Sequence, residues 1–231
     1  MTIREIAPKS ARTFAQQFDL IVFDWDGTLM DSTAMIASSI QLACGDLGVT
    51  PPDDERARHV IGLGLLDALA YAVPDLPPER IPEMAARYRH HYLSRDQELK
   101  LFPEVAEMMG ELIDRGYYVA VATGKTRVGL DRALARYGFG ALFHATRCAD
   151  ETSSKPHPQM LFELIAQLGV EAGRTLMVGD TTHDLQMASN ARIAALGVSY
   201  GAHAAELLLD HGPLAVVESS TVLRTWLQTH A

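Results

Sequence analysis

Asp24 and Asp26 stand two positions apart, directly after an apolar run at 20–23, and are followed by Gly27. The glycine gives the backbone freedom to turn there, so both carboxylates can face one pocket. One carboxylate can then attack an electrophile such as phosphorus while the other moves a proton. The structural alternative is a turn rich in aspartate that only ends a strand.

Two more segments have residue types that bind phosphate. Thr123 and Gly124 follow a second apolar run, and a hydroxyl with free backbone N–H groups at a helix start can hold phosphate oxygens. Lys155 precedes Pro156 in a stiffened loop, and its charge would offset the repulsion between a carboxylate and an anionic substrate. Taken singly, the threonine is more simply a helix N-cap and the lysine a solvated loop residue.

Asp180 and Asp184 follow a third apolar run. Their carboxylates supply oxygen ligands for a hard cation, and Mg²⁺ prefers a few carboxylates together with water and substrate phosphate. The structural alternative is an N-cap aspartate followed by an acidic first helical turn. Gly62 and Gly64 lie in a separate loop, where glycines would let the backbone approach a ligand closely.

Elements that could position these residues follow from hydrophobic patterning. Short runs rich in Val, Ile and Leu predict strands that are buried on both faces of a parallel sheet. These runs lie at 20–23, 117–122, 175–178, 194–198 and 214–217. Amphipathic spacing between them predicts helices that end at Gly116, Gly138 and Gly169. The alternation predicts a doubly wound α/β fold with a mostly parallel sheet, in which ligands bind beyond the carboxyl ends of the strands.

The stretch 32–100 interrupts this alternation and has the pattern of several consecutive helices. We therefore expect an α/β core domain formed by 1–31 and 101–231, with a small helical cap domain at 32–100 inserted after the first strand. Within the cap, the basic and aromatic cluster at 87–92 is interpreted as a solvated helix face.

Composition limits the remaining classes. The chain has 231 residues, a formal net charge of −9 and two cysteines that form no metal-binding pattern. The charge argues against a nucleic-acid partner, and no apolar run approaches the ~20 residues that span a bilayer. Met1 to Lys9 lacks the features of a secretory signal. These observations favour a cytoplasmic protein with no nucleic-acid or membrane partner. The expected oligomeric state is a monomer or a homodimer, and the sequence does not choose between them.

The four motifs, in this order and each after a strand, resemble those of the haloacid dehalogenase (HAD) superfamily. The likeness extends from about Leu20 to Val217. It is closest to the subgroup with a helical cap inserted after the first motif, which includes phosphoglycolate phosphatases. Asp26 separates the chain from dehalogenase members, which lack a carboxylate there. The absence of lysine from 32–95 separates it from phosphonatase members, which use a cap lysine.

The resemblance implies a role for each motif residue. Asp24 would be the nucleophile, and Asp26 would protonate the leaving oxygen and then activate the hydrolytic water. Lys155 would neutralise charge on the nucleophile and on the phosphate. Thr123 and the amide of Gly124 would hold the transferring phosphoryl group.

The same resemblance implies a Mg²⁺ cofactor. The implied ligands are Asp24, the backbone carbonyl of Asp26, Asp180 and Asp184. Asp180 is favoured as a direct ligand, whereas Asp184 is either a ligand or a group that orients the others.

The function implied by this resemblance is Mg²⁺-dependent hydrolysis of a small phosphorylated metabolite through an aspartyl-phosphate, with phosphoglycolate as the favoured substrate. Sugar phosphates and nucleotide monophosphates stay open as substrates. Gly62 and Gly64 would help to select the substrate, and a cap arginine such as Arg56 or Arg58 would meet a substrate carboxylate. The alternatives are a sugar phosphomutase and a noncatalytic binding member of the same fold.

Overall fold

The structure, a computed structural model, describes residues 17–231. The expectation for Met1 to Lys9, and the part of the core domain assigned to residues 1–16, lie outside the described residues.

The described chain alternates between strands and helices. The strands are β1 (Leu20–Phe23), β2 (Met30–Asp31), β3 (Lys100–Leu101), β4 (Tyr118–Thr123), β5 (Ala145–Cys148), β6 (Thr175–Gly179), β7 (Ala194–Val198) and β8 (Val216–Val217). The helices are α1 (Thr33–Leu47), α2 (Asp54–His59), α3 (Leu65–Ala72), α4 (Ile81–Arg95), α5 (Val105–Asp114), α6 (Arg127–Tyr137), α7 (Gln159–Leu168), α8 (Thr182–Ala191), α9 (Ala205–Leu209) and α10 (Ser220–His230). Short 3₁₀ turns cover Pro78–Arg80, Asp96–Glu98 and Ala172–Arg174.

Six strands form one parallel sheet in the order β5-β4-β1-β6-β7-β8. Strand β1 lies at the centre, and its side chains alternate between the two faces. Ile21 and Phe23 join the apolar cluster that includes residues of α5, α6 and α10, while Leu20 and Val22 join the one that includes residues of α7 and α8. Burial on both faces explains why β1 is apolar throughout, and the predicted doubly wound α/β fold is confirmed.

Strand β5 was not among the predicted strands. It lies at one edge of the sheet, and Thr146 and Arg147 interrupt its apolar pattern with half-buried side chains. Two predicted helix ends are confirmed, since Gly138 and Gly169 adopt left-handed conformations just after α6 and α7.

The segment between β1 and α5 contains α1 to α4 and an apolar cluster of its own, separate from those of the sheet. Its two connections to the sheet pair as the antiparallel ribbon of β2 and β3, in which Met30 faces Leu101 and Asp31 faces Lys100. The separate cluster and the paired connections support the predicted cap at 32–100.

Within residues 17–231, no helix has the length and apolar character needed to cross a lipid bilayer.

Candidate active site

The carboxyl ends of three neighbouring strands bring the motifs together. Asp24 follows β1, Thr123 ends β4 and Asp180 follows β6. The backbone N–H of Asp24 donates to the carbonyl of Val178 at 2.9 Å, which continues the pairing of β1 with β6 past the last strand residue. Gly27 then turns the chain with a φ of 82°. The parallel sheet therefore gathers residues about 150 positions apart at one edge.

Asp24, Asp180 and Asp184 form a fully buried acidic cluster in which one oxygen of each lies within 4.8 Å of the others. Asp180 accepts hydrogen bonds from the Thr28 hydroxyl at 2.9 Å and from the Ala202 backbone N–H at 2.7 Å. Oδ2 of Asp24 is buried without a hydrogen-bond partner. A buried oxygen without a donor, beside two more carboxylates, fits a hard divalent cation such as Mg²⁺.

Lys155 joins two of these carboxylates. Its Nζ lies 2.7 Å from Oδ1 of Asp24 and 2.7 Å from Oδ1 of Asp184, and all three side chains are fully buried. The second oxygen of Asp184 accepts from the backbone N–H and the hydroxyl of Thr181. These donors fix the orientation of the Asp184 carboxylate, and one of its oxygens lies with oxygens of Asp24 and Asp180 in the acidic cluster.

Burial sets the charge state of this cluster. Loss of water raises the pKa of Asp24 to about 7, and the nearby charge of Asp184 adds to the rise while Lys155 partly opposes it. Burial also raises the pKa of Asp180 well above its ordinary value, together with the charges of Asp24 and Asp184. Lys155 loses water as well, but the two carboxylates outweigh that loss and hold its pKa above the ordinary value.

Asp26 lies apart from this cluster and lines a cavity between the cap and the sheet. Ser32 Oγ donates to its Oδ1 at 2.7 Å, and Nζ of Lys125 lies 3.0 Å from its Oδ2. The same ammonium donates to the hydroxyl of Tyr92 at 3.0 Å. Burial disfavours the charged form of Lys125, yet Asp26 and Tyr92 hold its pKa above the ordinary value.

Lys125 had no predicted role, although it directly follows Thr123 and Gly124 in the sequence. Thr123 is buried at the end of β4, and its hydroxyl accepts from the backbone N–H of Lys125 at 3.2 Å. The signal for Lys125 was its position beside a phosphate-binding motif. Its partner Tyr92 lies on a cap helix, so only the tertiary structure reveals the contact.

The glycines of the cap loop lie against the core. Gly62 has a φ of 92°, and a Cβ there would lie 3.2 Å from Oγ1 of Thr181. The backbone N–H of Gly64 donates to the Ser154 hydroxyl at 2.8 Å. A Cβ on Gly124 would lie 2.6 Å from the carbonyl oxygen of Gly62. The loop at 62–64 therefore covers the end of β4 where the phosphate-binding residues were predicted.

The cluster at 87–92 is not one solvated face, so that interpretation was wrong. Tyr88 and Tyr92 are one helical turn apart, stack at 5.8 Å and line the cavity. Arg87, Arg89 and His90 are exposed on the same helix. The i,i+4 spacing of the two tyrosines places them together on the inner face of α4.

The predicted cap arginines do not line the cavity. Arg58 instead donates to Asp54 at 2.7 Å and to the Thr33 hydroxyl at 3.1 Å, which holds it within the cap and near the first motif. Trp25 is fully buried with its ring edge toward Phe143, and it also lines the cavity.

His183 lies in the first turn of α8 and is half-buried. Its Nε2 lies 2.8 Å from the carbonyl oxygen of His59 in the cap. His203, which is buried, lies 3.1 Å from the same oxygen and stacks on the His59 ring. These three histidines form a contact between cap and core that the sequence did not indicate.

Comparison with known proteins agrees with this geometry. The chain matches the family described as haloacid dehalogenase-like hydrolase over residues 21–198. It is 38% identical to a probable phosphatase, IndB, of Dickeya dadantii over 87% of this chain and 89% of that protein. It is 31% identical to a 5'-nucleotidase of Pseudomonas aeruginosa over 95% of this chain and 100% of that protein.

A crystal structure of a predicted phosphoglycolate phosphatase from Haemophilus somnus superposes with a TM-score of 0.78 at 26% identity, covering 90% of this chain and 98% of that one. The family match spans the strands that carry Asp24, Thr123 and Asp180, and the fold agrees over nearly the whole described chain. The chain therefore belongs to the haloacid dehalogenase-like hydrolase family.

Proposed function

We propose that this protein is a Mg²⁺-dependent phosphatase that hydrolyses a small phosphate monoester through an aspartyl-phosphate on Asp24. The observation that carries the proposal is the environment of Asp24, which combines a lysine contact on one oxygen with an unpartnered buried second oxygen. A carboxylate attacks a phosphate dianion only where nearby positive charge offsets the repulsion. The phosphatase and nucleotidase relatives support the same reaction class.

In the first step, a carboxylate oxygen of Asp24 forms a bond to phosphorus while the bond to the leaving oxygen breaks. Asp26 gives its proton to that oxygen, and the alcohol departs. In the second step a water attacks phosphorus, Asp26 takes a proton from it, and the bond between Asp24 and phosphorus breaks. The position of Asp26 at the cavity, held by Ser32 and Lys125, suits it to both proton transfers.

Positive charge and hydrogen bonds hold the phosphoryl group during both steps. Lys155 neutralises charge on Asp24 and on the transferring group, while the Thr123 hydroxyl and Gly124 amide bind phosphoryl oxygens. Mg²⁺, held by Asp24, Asp180 and the backbone carbonyl of Asp26, would add electrostatic stabilisation of the phosphoryl oxygens. Asp184 keeps Lys155 in place through the 2.7 Å contact.

The proposal is tested by phosphate release from a panel of monoesters, in Mg²⁺ and in EDTA. Phosphoglycolate is the reference substrate, because the resemblance favoured it and the Haemophilus somnus protein carries that name. Phosphate release that requires Mg²⁺ and is lost in the Asp24→Asn variant supports the proposal. The matched control is Asp210→Asn, at an exposed aspartate, which should keep the activity. Isomerisation of a sugar phosphate without release would indicate a mutase instead, and a folded protein with neither activity would indicate a binding role.

The expected cytoplasmic location, the absence of nucleic-acid and membrane partners, and the monomeric or homodimeric state stay predictions.

A further inference from the structure

A cavity of about 450 Å³ lies between the cap and the sheet. It reaches Asp26, the proposed proton donor to the leaving oxygen, and Gly124, but its walls do not include Asp24, Asp180 or Asp184. The cavity is therefore on the leaving-group side of the site. A water molecule in the liquid occupies ~30 Å³, so the cavity has the volume of about fifteen waters. This volume is several times that of a two-carbon acid.

The walls of this cavity are mostly apolar or aromatic. Helix α1 contributes Ile36 and Ile40, and helix α4 contributes the stacked pair Tyr88 and Tyr92. On the opposite side the core contributes Val128, whose side chain is 69% exposed. A pocket of this composition gains free energy by covering apolar surface and by stacking on a flat ring.

The cations of the cavity are engaged or exposed. Lys125 is paired with Asp26, and Nη1 of Arg132 lies 3.7 Å from Asp96. Arg136 donates to the backbone carbonyls of Asp96 and Gln97. Arg89, on α4, also lines the cavity, and its side chain is exposed to solvent. At the inner wall Lys125 is already paired with Asp26, so a substrate carboxylate buried there would lose water without a free cation to compensate.

One polar group of the inner wall suits an uncharged acceptor. Tyr92 accepts a hydrogen bond from Lys125, so its own O–H can donate to a ligand oxygen or nitrogen. The Lys125 ammonium also lies 5.0 Å from the centre of the Tyr92 ring, which holds the ring against the cavity.

From this geometry we propose that the substrate is a phosphate monoester whose leaving group is uncharged and carries an aromatic ring. An aryl-substituted alcohol and a nucleoside both have this chemistry, whereas a two-carbon acid and a simple sugar do not. The inference rests on the proposed phosphatase function and names the substrate class of the same site. It departs from phosphoglycolate, the substrate that the resemblance favoured.

The test compares kcat/KM in Mg²⁺ for benzyl phosphate, uridine and inosine 5'-monophosphates, phosphoglycolate and glucose 6-phosphate. All are esters of primary alcohols, so intrinsic reactivity differs little. We expect at least one ring-bearing ester to exceed phosphoglycolate and glucose 6-phosphate by about 30-fold, the gain for removing ~80 Å² of apolar surface from water. Preference for benzyl phosphate over both nucleotides would identify an aryl alcohol, and the reverse a nucleoside.

Two variants locate the effect in the cavity. Ile36→Trp fills part of the leaving-group side and should lower kcat/KM for the ring-bearing esters about tenfold, with little change for phosphoglycolate. Leu66→Trp is the matched control, since Leu66 is 52% exposed on the cap and does not line the cavity.

Three outcomes would overturn the inference, and they differ in what they imply for the proposed function. Phosphate release that is fastest from phosphoglycolate or glucose 6-phosphate would leave the phosphatase function standing and reject the aromatic leaving group. Absence of Mg²⁺-dependent release from every ester would reject both. An Ile36→Trp variant that slows all esters equally would also reject the inference, because the cavity would then not discriminate between leaving groups.

Discussion

Lys155 is the residue that allows two buried carboxylates to share one pocket. It contacts Asp24 and Asp184 at 2.7 Å each, and none of the three side chains is exposed to solvent. A buried charge that loses its partner is far more costly than a surface charge that does so. The lysine therefore has a structural effect that is measurable apart from any effect on catalysis.

Replacing Lys155 by methionine should lower the free energy of unfolding by ~3–5 kcal/mol at neutral pH, because two carboxylates would stay buried without their cation. Urea denaturation with and without Mg²⁺ measures this loss. Mg²⁺ should stabilise the variant more than the wild type, since it restores positive charge beside Asp24. Lys100→Met, at an exposed lysine of β3, is the control, and equal losses in the two variants would contradict the prediction.

The pH dependence of stability without metal follows from the pKa of Asp24, which burial raises from 3.8 to about 7. A carboxyl whose pKa is raised on folding stabilises the protein when protonated, and this stabilisation is lost as the pH rises through the folded-state pKa. The melting temperature in EDTA should therefore fall between about pH 4, near the unfolded-state pKa, and about pH 7, near the folded-state pKa. Mg²⁺ should reduce the fall, and Asp24→Asn should make it smaller, with the raised pKa of Asp180 contributing the remainder. A wild-type profile as flat as that of the variant would show that Asp24 is not the responsible group.

At the scale of elements, the cap loop at 62–64 and the end of β4 depend on each other. Gly124 leaves room for the carbonyl oxygens of Gly62 and Leu63, and the amide of Gly64 is anchored on Ser154. The loop thus covers the proposed phosphate-binding residues without contributing a side chain at either glycine. Its distance from the core decides whether water is excluded from the site.

Gly124→Ala should lower kcat/KM at least about tenfold while changing the melting temperature little. The new Cβ would lie 2.4 Å from the carbonyl oxygen of Leu63, so the cap loop has to move away. Steady-state kinetics and thermal melting measure the two effects. Gly110→Ala, in α5 with no atom within 4 Å of the new Cβ, should keep full activity and gain stability. Unchanged kinetics in Gly124→Ala would mean that the loop need not close.

At the scale of the whole molecule, the cap and the sheet have separate apolar clusters, and each contains one cysteine. Cys44 belongs to the cap cluster and Cys148 to the core. Burial raises the pKa of Cys44, and it raises the pKa of Cys148 to about 12. Both thiols are free and buried, so each reacts only when its own part of the structure opens.

Thiol labelling followed by mass spectrometry should therefore report the opening of cap and core separately. Since the cap cluster is the smaller, we expect Cys44 to label at lower urea concentration than Cys148. Cys44→Ser and Cys148→Ser assign the two signals. Identical urea dependence at both thiols would show that the cap and the core unfold as one cooperative unit, against the predicted domain division.

Much of the fold could be predicted from the amino-acid sequence. Apolar runs such as 20–23 are long enough to mark strands buried on two faces, and glycines such as Gly138 mark helix ends. Strand β5 was not predicted because it is an edge strand whose two middle residues are polar and half-buried. A strand leaves a clear hydrophobic pattern in the sequence only where its side chains are buried. A partly buried edge strand is therefore hard to predict.

The sequence by itself determined which residues gather at the strand ends, because the carboxyl ends of parallel strands must share one edge of the sheet. That geometry brings together Asp24, Thr123 and Asp180. Only the tertiary structure decided which groups then pair, including Asp184 with Lys155 and Lys125 with Asp26 and Tyr92. Such pairs depend on how a cap helix and loops pack above the sheet, and local sequence patterns carry no record of contacts between distant segments.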